Sequence, residues 1–363
     1  MRCKEALLPH IRSSRWIEFG IQSLSVLMAL LFTTLVLVMA GAPPLEAYRQ
    51  MLEGAFGSLK RMTDVLATWA PLIMVTSGLL LTFTAGLWNV GVEGQIMLGA
   101  IAATGVIRAL QETGLPPFVI LILAMVAGMA GGAAWAGLVG LLKIYTGIHE
   151  IFGGLGLNFL ATTLILWLIF GPWKRPGIAS MSGTEPFPEH LWLPVLPGLR
   201  LSPWTLILAL SSIVVVYVLL MNTHFGLRLK AIGKNIRAAH RLGVPTSRYM
   251  FLALLGCGAI AGLVGALQVT ATYHRLIHAI SSGYGYMGLL VGMLANYRVL
   301  WSVLVAFFFA ALNIGGIQLM VTLRLDSTLS GVMQGALVLF VLLAQGSQAR
   351  WKPTLIPESR DDA

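Results

Sequence analysis

The chain has 363 residues, of which 57% are hydrophobic and only 10% charged, with a mean hydropathy of +0.83. Soluble domains carry about 25% charged residues, so an ordinary globular fold is excluded. The formal net charge of +10 is gathered into a few short segments. That is the positive-inside pattern of a membrane protein rather than a nucleic-acid surface.

Apolar runs cover residues 21–40, 65–84, 117–142, 151–171, 204–221, 251–270, 303–319 and 329–344. Most approach the roughly 20 residues that carry a helix across a ~30 Å hydrocarbon core. They are continuous rather than alternating, which excludes a β-barrel. The expected fold is an all-α polytopic membrane protein. The first run follows basic residues without a small-residue cleavage site and reads as a signal anchor.

Arg2, Lys4, Arg12 and Arg15 precede it against the single acid Glu5, which places residues 1–17 in the cytoplasm. The segment 223–248 holds Arg228, Lys230, Lys234, Arg237, Arg241 and Arg248 with no acid, and it too belongs inside. An even number of crossings must separate them. Spans at 18–40, 64–84, 92–110, 117–142, 151–171 and 204–222 satisfy this, followed by 249–272, 285–297, 300–320 and 329–345. The total is about ten (eight to ten allowed), with a transmembrane body over 18–345, a cytoplasmic tail at 346–363 and both termini inside. The spans 92–110 and 285–297 are short and interrupted by glycine, as in broken or re-entrant helices that line a cavity. Residues 172–203, with GPWKRPG and LWLPVLPG, form an external loop: a lid, a lateral amphipathic segment or a contact for an external partner.

Polar groups inside this apolar chain carry the chemistry. The stretch GLWNVGVEGQIMLGA at 86–100 places Asn89, Glu93 and Gln95 at membrane depth. An ionisable group there costs at least ~2.5 kcal/mol and normally faces a bundle interior or a wet cavity. Asn89 and Glu93, four apart, would share a helix face. Glu93 either borders a solute path or bonds the freed amides of a half-helix. In HEIFGGLGLNFLATT at 149–163, Glu150 sits at the cytoplasmic entrance of its span as a helix-terminal group. Asn158, two turns deeper, either bonds between helices or meets the solute. Tyr284 and Tyr286 in YGYMGLLVGMLAN offer rings for stacking on a base or sugar, or for interfacial anchoring. In 226–245, Asn235 reads as an N-cap and Gly243 as a helix stop, with Pro245 beyond. The helix between puts Arg237, His240 and Arg241 on one face and Ala238 and Leu242 on another. A capped basic helix suggests docking of a cytosolic protein.

Cys3 and Cys257 make neither a disulfide framework nor a metal site. There is no GxxxxGK[ST] phosphate loop, and few acids at membrane depth for a proton relay.

Together, three segments resemble the permease subunits of bacterial ABC importers of the simple-sugar/nucleoside type. NVGVEGQIMLGA is similar to that family's N-[IV]-G-V-E-G-Q signature. HEIFGGLGLNFLAT resembles its N-E-[VI]…L-N segment, with His149 in place of asparagine. GLRLKAIGKNIRAAHRLGV looks like its cytoplasmic coupling loop. The resemblance implies a bacterial inner-membrane subunit, not itself an enzyme, that works with a cytosolic ABC ATPase, a second permease chain and an external substrate-binding protein. The second permease is either a different chain, as this longer form suggests, or a second copy. It implies a substrate path at Asn89, Glu93, Gln95 and Asn158, with Glu150 in the entrance motif. It also implies a coupling element of Lys230, Gly233, Asn235, Arg237, Ala238, Ala239, Arg241 and Gly243. This chain binds no cofactor on that reading; ATP and Mg are used by the partner subunits. The alternative function is a stand-alone secondary carrier of a small polar metabolite.

Overall fold

A computed structural model of the protein describes Leu24 and residues 26–177, 183–323 and 328–351. The expected cytoplasmic segment 1–17, the start of the first span and the tail beyond 351 lie outside the described residues. The described elements are helices: α1 Val26–Met39, α2 Pro44–Phe56, α3 Leu59–Thr84, α4 Val92–Leu110, α5 Pro117–Leu141, α6 Glu150–Phe170, α7 Pro203–Asn222, α8 His224–Lys234, α9 Ile236–Arg241, α10 Thr246–Leu267, α11 Tyr284–Leu294, α12 Val299–Leu323 and α13 Thr328–Trp351. Short π-helical turns extend α5 over Leu142–Thr146 and α10 over Gln268–Thr272.

Among the described residues, six helices are long and apolar enough to cross a bilayer, or seven if α1 and α2 form one bent span. The ten expected crossings exceed these by α4, α11 and α13, and the first two differ for a physical reason. Glu93, Gln95 and Arg108 dilute the apolar character of α4. The 11-residue α11 rises only about 16 Å, half a hydrocarbon core. The first expected span ends at a bend of 108°, where Gly41 adopts a left-handed φ of 75° and Pro43 and Pro44 follow. The amphipathic α2 beyond it is absent from the sequence reading, because Glu46, Arg49 and Glu53 break the run of apolar residues.

The chain divides into two compact units. The smaller comprises residues up to 55 and from 312 onward. Its core joins Leu37, Ala47, Met51, Leu319 and Met333, and the Tyr48 hydroxyl meets Thr33 Oγ1 at 2.8 Å.

The larger unit, residues 56–311, is built on α3, α4, α5 and α10. Helix α3 is buried along most of its length, as expected of a helix apolar on every side. Helices α4, α5 and α10 meet backbone to backbone at glycines. A Cβ on Gly262 would overlap the Gly128 carbonyl oxygen, and one on Gly132 would lie 2.6 Å from the Gly262 Cα. Such small-residue contacts allow helices to approach closely in lipid, where the hydrophobic effect does not drive them together.

Residues 183–193 are clasped onto 270–276. Thr184 N donates to Leu276 O at 2.9 Å, Phe187 N to His274 O at 2.8 Å and Leu193 N to Thr270 O at 3.0 Å. Trp192 stacks on His274 at 3.9 Å between centroids and 11° between planes. Burial holds the His274 pKa below its ordinary value, partly opposed by the hydrogen bond to the Thr270 carbonyl. The folded clasp therefore favours neutral His274, and its contribution to stability is present above the ordinary value and lost as pH falls below it. Lowering pH from about 7.5 to about 5.5 is expected to lower the protection of amides 184–193, measured against their intrinsic exchange rate at each pH. His274→Gln is expected to abolish that pH dependence.

Candidate functional site

Gly86 turns the chain with a left-handed φ of 75°, and residues 87–89 are non-helical before α4 begins at Val92. Asn89 therefore lies outside any helix, and the face it was expected to share with Glu93 does not form. Its amide pairs instead with Gln95, Nδ2 to Oε1 at 3.1 Å and Nε2 to Oδ1 at 3.0 Å. Asn89 Nδ2 also reaches Cys257 Sγ on α10 at 3.2 Å. Both amides are fully buried, and their mutual bonding ties the turn to α4 and α10.

Glu93 is 2% exposed. Its Oε1 accepts from the Gly285 and Tyr286 amides at 2.9 and 3.1 Å, which belong to the first turn of α11. These donors have no partner within their own helix, and a carboxylate there complements the helix dipole. Ser281 lies beside the carboxylate, yet Oε2 completes no hydrogen bond among the described residues. Asn158 does for α4 what Glu93 does for α11. Its Oδ1 accepts from Gly94 N at 2.9 Å, and its Nδ2 donates to Val90 O at 3.0 Å.

These groups meet at a half-open cavity of about 300 Å³. Glu93, Asn158, Thr162, His278, Ser281 and Tyr286 supply its polar wall, and Met97, Leu155 and Phe159 part of its apolar wall. Tyr286 is 48% exposed, with its hydroxyl 3.5 Å from Asn158 Nδ2. Tyr284, two residues earlier, is buried and does not border the cavity, and neither do Asn89 and Gln95. Sequence reasoning missed Thr162, His278 and Ser281. Thr162 sits one turn beyond Asn158, and the other two lie in the run HRLIHAISSG before the YGYMG of α11.

Glu150 stands apart from the cavity, at the start of α6. Its Oε1 accepts from Trp88 N at 3.3 Å, and its Oε2 pairs with Lys143.

In the basic segment, Asn235 Oδ1 accepts from Ala238 N at 3.0 Å and caps α9, and Gly243 has a left-handed φ of 80°. Ala239 is the buried residue, while Ala238 is exposed. Leu242, expected on the second face, lies past the helix end and is 82% exposed. Ile236, Arg237, His240, Arg241 and Thr246 surround an open hollow. Lys230 reaches back to Met221 Sδ at 3.3 Å, and Gly233 packs against the end of α3.

A family model described as "Branched-chain amino acid transport system / permease component" matches residues 61–342. The chain belongs to this family. The permease is 30% identical to the glucose ABC transporter permease protein TsgB13 of Haloferax volcanii, over 91% of this chain and 88% of that one. It is 25% identical to the guanosine ABC transporter permease protein NupP of Bacillus subtilis, over 88% of this chain and 91% of that one. A second protein of that organism, the guanosine ABC transporter permease protein NupQ, is 26% identical over 66% of this chain and 76% of its own length. The permease is thus the multi-pass membrane subunit of an ABC transport system, a transport component rather than a catalyst. Its family implies partnership with an ATPase and a substrate-binding protein. That membership favours the ABC permease over a stand-alone carrier.

Proposed function

We propose that the permease imports nucleosides, or a related small polar solute such as a simple sugar, across a bacterial inner membrane through the cavity bounded by Glu93, Asn158 and Tyr286. The observation that carries this is the cavity itself, bordered by Glu93, Asn158 and Tyr286, with a buried Glu93 Oε2 that completes no hydrogen bond among the described residues. An ionised carboxylate accepts and a protonated one also donates, and ribose and pyranose hydroxyls, which do both, match either form. Tyr286 and Phe159 offer rings to a flat base. The relatives described for guanosine and glucose are consistent with either solute. Asn89, Gln95 and Tyr284 support the path from behind. Uptake of labelled guanosine and of labelled glucose tests the choice: guanosine uptake displaced by unlabelled nucleosides and not by glucose is expected, and glucose uptake without guanosine uptake favours the sugar.

The positive-inside pattern supports an even number of crossings with both termini in the cytoplasm. Bacillus subtilis has two different proteins described as guanosine ABC transporter permease proteins, which is consistent with a second permease different from this chain. The segment Lys230–Gly243 docks the ATPase, which uses ATP and Mg, through Arg237, Arg241 and the exposed Ile236 and Leu242. Arg237→Glu with Arg241→Glu is expected to lower ATPase retention on purification about tenfold, as reversal of charge at an interface does. Normal retention would remove these arginines from the contact.

A further inference from the structure

Residues 85–91, between α3 and α4, touch several other elements. Gly233 of α8 lies against their start. A Cβ on Gly233 would overlap the Thr84 carbonyl oxygen, and one on Gly86 would lie 3.5 Å from the Gly233 Cα. With no side chain between them, a shift of α8 is not absorbed by rotamers. Farther along, Trp88 N is held by Glu150 of α6 at 3.3 Å, and Glu150 is held in turn by Lys143. Gly91 abuts Gly154 of α6, where a Cβ would lie 2.6 Å from the Gly91 nitrogen. The Trp88 ring meets Phe83 edge-on at 5.4 Å, and Phe83 meets Tyr297, just past α11, at 5.1 Å. The two helices joined at Glu93, α4 and α11, are therefore both tied to this one connection.

We infer that residues 85–91 relay movement of the cytoplasmic docking element to the cavity, with Glu150 as a positioning residue that links the turn to α6. When the ATPase displaces α8, Gly233 pushes the Thr84–Gly86 backbone. The Trp88–Glu150 bond then passes the displacement to α6, which carries Asn158. The inference rests on the reading that residues 230–243 dock the ATPase.

The test uses the full transporter complex in proteoliposomes, reading ATPase retention, basal hydrolysis and the stimulation of hydrolysis by loaded external binding protein. Glu150→Ala is expected to keep retention and basal hydrolysis and to lose about tenfold in stimulation, within the usual span of coupling between sites. Glu150→Gln, whose amide oxygen still accepts from Trp88 N, keeps most of the stimulation. Lys143→Gln, which leaves the acceptor in place, also keeps it. The charge swap Lys143→Glu with Glu150→Lys restores an ion pair but not the acceptor, since lysine only donates, and stays low. Wild-type stimulation in the swap or in Glu150→Ala would overturn the relay, as would loss of the ATPase from Glu150→Ala. Should Glu150→Ala not accumulate, the swap against Lys143→Gln still decides. The Arg237→Glu, Arg241→Glu control separates the two readings. Its retention of the ATPase sinks the docking assignment, whereas full stimulation in Glu150→Ala sinks the relay alone.

Discussion

Glu93→Gln is expected to leave the permease folded and assembled while lowering uptake about tenfold, and Glu93→Ala to impair both. On the proposed path the side chain does two jobs through its two oxygens. Oε1 satisfies two amides of α11, and leaving buried donors without partners costs about 1–3 kcal/mol each. Alanine loses both bonds and should lower the melting temperature measured in detergent. Glutamine can keep its carbonyl oxygen on those amides, so the fold survives. Its NH₂, however, puts a donor where Oε2 had offered the solute an acceptor. Hydrogen bonds to charged groups contribute about 1.5–3 kcal/mol, which corresponds to tenfold or more in rate or affinity. Unchanged uptake kinetics in Glu93→Gln would leave Glu93 a purely structural cap.

Gly262→Val is expected to abolish accumulation of folded protein, and Gly262→Ala to lower its melting temperature markedly. The added carbon would overlap the Gly128 carbonyl and sit 2.9 Å from the Gly132 Cα. Neither is a flexible side chain that can swing away, so α5 and α10 must separate. Inserting even one methyl into a packed core costs about 1–3 kcal/mol, and here the strain falls on backbone. Gly156 on α6 provides the contrast. No atom lies within 4 Å of where its Cβ would stand, so Gly156→Ala should be neutral or stabilising by up to ~1 kcal/mol through helix propensity. Equal effects at Gly156 and Gly262 would contradict the close-contact account.

The sequence made the helical membrane class legible, because long apolar runs have few other physical uses. It also placed the cap at Asn235 and the stop at Gly243, since both act within a few residues along the chain. Interactions between distant residues were not legible. Asn89 bonds Gln95 across a turn rather than sharing a helix face with Glu93, because Gly86 delays the start of α4. The difference between Tyr284, buried, and Tyr286, at the cavity, depends on how the first turn of α11 meets Glu93, almost two hundred residues earlier in the chain. His278 and Ser281 join the cavity only because the 273–283 segment folds back over α4 and α6. The bend between α1 and α2 had its signal in Gly41-Ala42-Pro43-Pro44, but an amphipathic helix beyond it leaves no apolar run.

The most direct test of the central claim is mild-detergent purification of the tagged permease from its native host. Mass spectrometry of the copurifying proteins and ATP-dependent uptake of labelled guanosine by vesicles containing the recovered complex complete it. The account predicts an ABC ATPase and a second, different permease in the complex, with uptake that requires ATP and the external binding protein. Recovery of the chain alone, still driving uptake in vesicles without ATP, would contradict it.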